Sequence, residues 1–254
     1  MPVAELTILG SGTCAATRAR SMAGYHLAYN GKSMLLDVGD GALRRMLEAG
    51  IPYPDVDAIF ISHHHIDHIA DLVPYLWAVR YSPEVQRHRP LYIVGPPGTN
   101  EWYERLADAF GGWMLDLPFS LIIEDRESES WTWQGIEIET LPMRHSVPVN
   151  GYRFALGGRI LAYTGDTGYH ANVVRLAREA DLLIIECSFL DGGEPVETHM
   201  TPSGVGRVAS EARAKKVVLT HMYPECDRGD LRGQMQKTFD GELVVAEDLL
   251  KIML

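Results

Sequence analysis

Imidazole and carboxylate side chains alternate within a short stretch of the sequence in a pattern that suits metal binding. The stretch reads His63-His64-His65-Ile66-Asp67-His68 and directly follows a predicted buried strand over Ile59-Phe60-Ile61-Ser62. In an extended segment, side chains two residues apart point to the same side, so His63 and His65 can converge on one ion. Asp67 and the adjacent histidine, at the start of a predicted helix, could serve a second ion. These ligand types suit zinc, manganese or iron, and a His-rich surface loop is the alternative interpretation.

Four further polar residues follow predicted strands elsewhere in the chain. They are His145, Asp166, Glu186 and His221. Each is weak evidence alone, because a strand-end Asp is often a helix cap and a strand-end His is often a polar loop residue. Together they predict one active edge, where the strands of an α/β sheet deliver their polar groups.

The elements that position these residues can be read from apolar periodicity. Strands are predicted at residues 6–9, 33–36, 58–61, 91–94, 121–123, 136–138, 159–163, 182–185 and 217–219. Helices are predicted at residues 42–49, 69–79, 100–109, 171–180 and 203–214. The last of these follows Thr201-Pro202, an N-cap residue and a favoured first helical residue. Residues 25–37 read as a hairpin turning at Asn30-Gly31. This order predicts a layered α/β fold with mixed sheets, in a single domain over residues 1–254.

Composition limits the classes of protein that fit. The chain has 254 residues, 46% of them hydrophobic and 22% charged, which is enough for one α/β domain with a large core. No apolar run approaches the roughly 20 residues that span a bilayer, and the N-terminus lacks a signal-peptide pattern. Three cysteines without zinc-finger spacing suit a reducing cytosol, so a cytoplasmic location without membrane contact is expected. The net charge of −11 counts against a large polyanionic partner.

The ligand-type residues together resemble the metallo-β-lactamase fold family, from Leu9-Gly10-Ser11-Gly12-Thr13 to Leu219-Thr220-His221. The resemblance implies a four-layer αββα sandwich with two divalent metal ions at its edge, zinc being expected and manganese the alternative. By position, it assigns one ion to His63, His65 and His145. It assigns the second ion to Asp67, His68 and His221, with Asp166 bridging the two. Asp37, in Leu35-Leu36-Asp37-Val38-Gly39, matches a family aspartate that supports the ligands.

Within that family, the chain is similar to the branch of ribonuclease Z, the tRNA 3′-processing endonuclease. The similarity lies in the Gly10-Ser11-Gly12-Thr13 opening, in Tyr163-Thr164-Gly165-Asp166-Thr167, and in Glu186-Cys187-Ser188-Phe189 followed by Thr198-His199-Met200-Thr201. It implies that His199 assists the leaving group and that Glu186 orients it. Ribonuclease Z carries a long tRNA-gripping arm between its third-histidine and bridging-aspartate motifs. Here residues 146–159 leave room for a hairpin and no arm.

The missing arm and the acidic charge both favour a small substrate. The expected function is a dinuclear metal-dependent phosphodiesterase acting on a small nucleotide, a cyclic phosphate or a related ester. A metal-bridging hydroxide would attack, Asp67 would orient it or take its proton, and His199 would protonate the leaving alkoxide. The alternatives are tRNA 3′ processing, which is disfavoured, and a non-catalytic metal-binding or sensing module. Arg18, Arg20 and Arg144 are left without a role. Residues 75–81 could form a homodimer face, but their apolar pattern favours packing in the core.

Overall fold

Two mixed β-sheets stacked face to face form the centre of the computed structural model, which describes residues 3–194 and 196–254. The first sheet has seven strands in the order β14-β1-β2-β3-β4-β5-β6. Their bounds are β1 Glu5–Gly10, β2 Gly24–Tyr29, β3 Lys32–Val38, β4 Ala58–Phe60, β5 Leu91–Gly95, β6 Leu121–Asp125 and β14 Lys251–Met253. Strands β3 to β6 are parallel, whereas β14, β1, β2 and β3 pair antiparallel.

The second sheet repeats this plan, with seven strands in the order β13-β12-β11-β10-β9-β8-β7. Their bounds are β7 Ser130–Trp133, β8 Ile136–Pro142, β9 Asn150–Leu156, β10 Arg159–Tyr163, β11 Leu182–Glu186, β12 Lys216–Thr220 and β13 Glu242–Val245. Strands β10 to β13 are parallel, and β7 to β10 form an antiparallel meander. The segment between His145 and Asp166 contains the β9–β10 hairpin, as its length and turn residues predict.

Helices cover the outer face of each sheet. Their bounds are α1 Ala42–Glu48, α2 Ile66–Ile69, α3 Leu72–Tyr81, α4 Thr99–Phe110, α5 Ala171–Ala177, α6 Pro202–Ala212 and α7 Leu231–Met235. The apolar sides of α1, α3 and α4 pack on the first sheet, and those of α5, α6 and α7 belong to the core around the second. The four layers confirm the predicted αββα sandwich.

Aromatic side chains fill the space between the two sheets. Phe60 of the first sheet is fully buried, and its ring lies 5.1 to 6.0 Å from the rings of Trp133, Tyr152 and Phe154 of the second. Tyr25 reaches across in the same way and its hydroxyl lies 2.8 Å from Thr220 Oγ1. Apolar burial between the sheets therefore fixes how the parallel strands of one sheet lie beside those of the other.

Pro74 explains why one predicted helix is divided into two, whereas the other predicted helices differ from the observed ones only at their ends. The sequence pattern predicts one helix over residues 69–79, but α2 ends at Ile69 and α3 begins at Leu72. Proline has no backbone N–H and its ring clashes with the carbonyl four residues earlier, so a continuous helix cannot run from Ala70 through Pro74. Three strands absent from the predicted set, β7, β13 and β14, and the short α7 complete the fold.

No helix among the described residues combines the length and the apolar character that a membrane span requires.

Replacing Phe60 by alanine should lower the free energy of unfolding by about 3–5 kcal/mol, because the cavity lies between the sheets and cannot collapse. Urea denaturation of the two proteins measures the loss. Leu47→Ala is the matched control, since Leu47 is 60% exposed on α1 and a surface change of this kind costs within about 0.5 kcal/mol. Equal losses for the two variants would contradict the placement of Phe60 in the core.

Candidate metal centre

The predicted ligand-type residues meet at one edge of the sandwich, beyond the carboxyl ends of parallel strands. The segment 63–68 follows β4 of the first sheet. In the second sheet, Asp166 and His221 follow β10 and β12, and Glu186 is the last residue of β11. His145 lies in the loop between β8 and β9. Parallel strands present their carboxyl ends on the same side, so residues far apart in sequence come together there.

A first cluster consists of His63, His65, His145 and Asp166, whose ligand atoms all lie within 4.8 Å of one another. His145 Nε2 is 3.2 Å from His65 Nδ1. Oδ2 of Asp166 lies 3.9 Å from Nε2 of both His63 and His145. The first three residues are the set that the resemblance assigns to one ion.

A second cluster consists of Asp67, His68 and His221, again with ligand atoms within 4.8 Å of one another. His221 Nε2 lies 3.3 Å from Asp67 Oδ2. The other oxygen of Asp166, Oδ1, lies 3.2 Å from His68 Nε2 and 3.4 Å from His221 Nε2. One carboxylate therefore sits between the clusters with one oxygen toward each, which is the placement a bridging ligand needs.

The imidazoles present free ring nitrogens to the centre because their other nitrogens are already bonded. His68 Nδ1 donates to Asp37 Oδ2 at 2.7 Å, and His145 Nδ1 donates to the Thr198 carbonyl at 3.1 Å. Ser188 Oγ donates to Glu186 at 2.6 Å and so accepts from His221 Nδ1 at 3.0 Å. This pattern fixes the tautomer that leaves the Nε2 lone pair for a metal.

The buried atoms aimed into the centre fit a cation. Within residues 3–194 and 196–254, Nε2 of His63, Nε2 of His68 and Oδ1 of Asp166 have no hydrogen-bond partner. Buried polar atoms without partners are costly, so an ion bound by them would remove a penalty. Burial lowers the pKa of His63 well below its usual value, which keeps its imidazole neutral and able to act as a ligand.

Electrostatics around the aspartates also suit a cation. Burial opposes ionisation of Asp166, but His221, His68 and His63 hold the pKa of this carboxyl well below its usual range. Burial likewise opposes a charge on His68, yet Asp166 and Asp37 raise the pKa of this imidazole well above its usual value. A metal ion would therefore compete with a proton for His68 while finding Asp166 already ionised.

Asp37 and Ser62 form the hydrogen-bonded base of the first-sheet ligands. Asp37 accepts from the Ser62 backbone N–H and hydroxyl, both at 2.6 Å, and from the Tyr163 hydroxyl. Since the Ser62 hydroxyl donates to Asp37, it accepts from His63 Nδ1 at 3.0 Å. The fully buried Asp37 thus supports His68 directly and His63 through Ser62.

His199 and Glu186 form a separate pair at the rim of the centre. His199 Nδ1 lies 2.9 Å from Glu186 Oε1, and the ring stacks on that of His221 at 5.9 Å and 10°. Glu186 is fixed by the backbone N–H groups of Thr167 and Met200, at 2.7 and 3.1 Å. Gly168 allows the backbone just before His199 to approach closely, because a Cβ at position 168 would lie 1.8 Å from the Glu197 carbonyl oxygen.

The charge of the histidine in this pair is favoured by its neighbours. Burial lowers the pKa of His199, but the hydrogen bond and charge of Glu186, with Asp166 and Asp67, raise it above its usual value overall. His199 also lies within 4.8 Å of Asp166 and His221, as a third cluster of ligand type. Geometry alone therefore permits a role as acid or as ligand.

Sequence patterns do not single out Ser62 and Tyr163 as parts of the site, nor Ser188 as the acceptor for His221. Ser62 and Tyr163 lie at the ends of predicted strands, and Ser188 lies three residues beyond the end of another. Closeness to a strand end is the only signal that could have found them. Two site residues, Asp37 and His221, have left-handed backbone conformations with φ of 55° and 53°. Such strain, on the order of 1–3 kcal/mol per residue, is typical of functional positions and is not visible in residue type.

The arginines considered from sequence differ in their contacts. Arg20 pairs with Asp227 at 2.7 Å and donates to the Ala246 carbonyl at 2.6 Å, so it links distant loops. Arg144 pairs with Glu197 at the surface, and Arg18 is exposed.

The stretch considered as a dimer face is divided between the core and the surface. Tyr75 is buried, whereas Trp77 and Tyr81 are 50% and 46% exposed beside an apolar groove of about 550 Å³. A dimer through this face stays a prediction.

Known proteins resemble the chain throughout its length. The β-lactamase superfamily domain matches residues 34–222, a range that contains both clusters. Ribonuclease Z of Streptomyces avermitilis is 31% identical over 303 aligned positions, covering 99% of the chain and 98% of that protein. Because the chain has 254 residues, this relative contains several tens of residues without a counterpart here.

Two solved structures share the fold. The metallo-β-lactamase fold protein YhfI of Bacillus subtilis superposes with a TM-score of 0.86 at 26% identity, covering 100% of both chains. Its sequence aligns over only 247 positions, so its length is close to that of this chain. A diphosphatase of the PhnP family superposes with a TM-score of 0.75 at 22% identity, covering 100% of the chain and 98% of the other.

Replacing Asp37 by asparagine should lower metal affinity by about 10–100-fold, the usual effect of losing a partner that orients a ligand. The variant keeps the shape but removes the charge that holds His68 and Ser62. Competition with a chromophoric chelator measures the affinity. Asp181→Asn is the matched control, because Asp181 also accepts from a backbone N–H, at 2.8 Å from Ile160, but precedes β11 at its amino end. Unchanged affinity in the Asp37 variant would contradict the supporting role.

Proposed function

The chain belongs to the β-lactamase superfamily, and from that premise we propose a dinuclear metal-dependent phosphodiesterase acting on a small nucleotide, a cyclic phosphate or a related ester. Its relatives are named ribonuclease Z and metallo-hydrolase, and the chain is a metal-dependent hydrolase of ester bonds. The observation that carries the dinuclear proposal is the Asp166 carboxylate, whose two oxygens face different clusters.

The proposed ligands divide between the clusters. His63, His65 and His145 would hold one ion, Asp67, His68 and His221 the other, and Asp166 both. Zinc suits these imidazole and carboxylate ligands, and manganese is the alternative. Two divalent cations bound there would outweigh the charge of the two aspartates, lower the pKa of a shared water and polarise a phosphoryl oxygen.

The remaining steps belong to side chains of this chain. Asp67, held 3.3 Å from His221, would orient the attacking water or accept its proton. His199 would give a proton from Nε2 to the departing alkoxide, because its Nδ1 is bonded to Glu186. Glu186 accepts from two backbone N–H groups, so it keeps the imidazole oriented and favours its protonated form.

The choice of a small substrate depends on charge and length. The chain carries a net charge of −11 and lacks several tens of residues that the ribonuclease Z relative contains. It matches the length of YhfI instead. Processing of the tRNA 3′ end is the second candidate, favoured by the 31% identity to ribonuclease Z across nearly all of both chains.

A substrate panel on protein of measured metal content tests the proposal. We expect two ions per chain, and a higher kcat/KM for bis(4-nitrophenyl) phosphate and cyclic nucleotides than for a pre-tRNA with a 3′ trailer. Accurate tRNA cleavage with the higher kcat/KM would instead establish the second candidate. Bound metal without turnover of phospho-, thio- or carboxylic esters would indicate a metal-binding or sensing module.

Replacing His199 by alanine should lower kcat by about 10²–10⁴-fold on substrates with an alkoxide leaving group, since the general acid is lost. The loss should be much smaller for 4-nitrophenolate, which leaves without protonation. The exposed His88 supplies the control variant His88→Ala. A parallel fall in bound metal would show instead that His199 is a ligand, as its place in the third cluster allows.

A further inference from the structure

His64 lies in the middle of the three consecutive histidines of residues 63–68, here called the ligand segment. Its side chain points away from both clusters and contacts α4. Its ring stacks on that of Trp102, with centroids 4.7 Å apart and an angle of 10° between the planes. Its Nε2 lies 3.0 Å from Thr99 Oγ1. Its neighbours in sequence, His63 and His65, both belong to the first cluster. His64 is therefore the link between the ligand segment and the helix.

The direction of this hydrogen bond follows from the partners of Thr99. The Thr99 hydroxyl donates to the Pro96 carbonyl at 2.7 Å. A hydroxyl has only one hydrogen, so Thr99 Oγ1 must accept from the Nε2–H of His64. Thr99 is fully buried, and a Cβ at Gly95 would lie only 2.3 Å from its hydroxyl oxygen. Glycine at position 95 thus allows Thr99 to occupy this place.

The start of α4 is itself held by the first sheet. Asp125, the last residue of β6, accepts from the backbone N–H groups of Gly98 and Asn100 at 2.8 and 2.9 Å. It also accepts from the Asn100 side chain at 2.9 Å. Thr99 lies between these two residues, so it is a fixed acceptor. A continuous series of contacts therefore runs from β6 through α4 to the ligand segment.

We propose that His64 is a positioning residue that holds His63 and His65 in place for the first ion. The two ligands flank it directly, so rotation of the segment about His64 would displace both of their ring nitrogens. The second cluster depends on other supports, since Asp37 holds His68 and Ser188 holds His221. Loss of the contact between His64 and α4 should therefore weaken binding of the first ion and leave the affinity for the second nearly unchanged. This inference rests on the proposed metal centre.

Four variants separate the hydrogen bond from the stacking contact. His64→Phe keeps an aromatic ring over Trp102 but cannot donate, and Thr99→Val keeps the shape but cannot accept. His64→Gln retains a donor and loses the ring. Thr99→Ser retains the hydroxyl and is the conservative control. The measurements are the two Zn²⁺ dissociation constants, by chelator competition, and the unfolding midpoint without added metal.

We expect His64→Phe and Thr99→Val each to lower the affinity for one ion by about 10–100-fold, as for other residues that orient ligands. Thr99→Ser should keep an affinity close to that of the original chain. The double variant His64→Phe/Thr99→Val should bind this ion about as well as either single variant, since both substitutions remove the same hydrogen bond. The weakened site should be the one lost in His65→Ala rather than in His221→Ala.

An equal loss of affinity for both ions, together with a large fall in the unfolding midpoint without metal, would overturn the proposal and indicate a general structural role for His64. Unchanged affinities in all four variants would also overturn it. If the original chain binds two ions but hydrolyses no ester, the proposed function fails while this inference stands. A chain that binds no divalent ion would overturn both.

Discussion

The buried carboxylate of Asp166 is the constraint on which the site depends. It is 3% exposed, and its oxygens face ring nitrogens of His63, His68, His145 and His221 at 3.2 to 3.9 Å. An ionised group removed from water is costly unless positive charge and hydrogen bonds compensate it. Positive charge around Asp166 would therefore account for both its burial and its lowered pKa. The other residues at this edge must hold the surrounding imidazoles at positions that match its two oxygens.

Both sheets contribute to that rigidity. Tyr163 of the second sheet donates to Asp37 of the first, and the backbone N–H of Asn150 donates to the Ser62 carbonyl at 2.9 Å. These bonds cross the sandwich next to the ligands. Because the sheets are also joined by the aromatic core around Phe60, a displacement of one ligand set relative to the other would break polar bonds and apolar packing together. The spacing between the clusters is therefore a property of the whole sandwich.

Residue type and apolar periodicity predict most of the strands and the ligand-type residues that lie at their ends. The apolar pattern predicts a strand at residues 159–163, where β10 lies, and therefore places Asp166 just beyond a strand. The predicted ligand residues do come together, because strand ends in parallel sheets share an edge. The break before Pro74 follows from the chemistry of proline and could have been predicted. The left-handed backbones of Asp37 and His221 and the roles of Ser62 and Ser188 depend on tertiary contacts. Serine is common at loop starts, so nothing in its type marks these two.

Electrostatic range connects the site to the proposed choice of substrate. At physiological salt the Debye length is about 8 Å, so cations bound at the edge would attract only phosphates that come close to them. Phosphates farther away would meet a protein surface with a net charge of −11. A substrate with one or two phosphates gains the local attraction without that repulsion, whereas a tRNA would bring many phosphates against the acidic surface. Binding of tRNA would therefore require a dedicated contact for its phosphates, and the chain lacks several tens of residues that the ribonuclease Z relative contains.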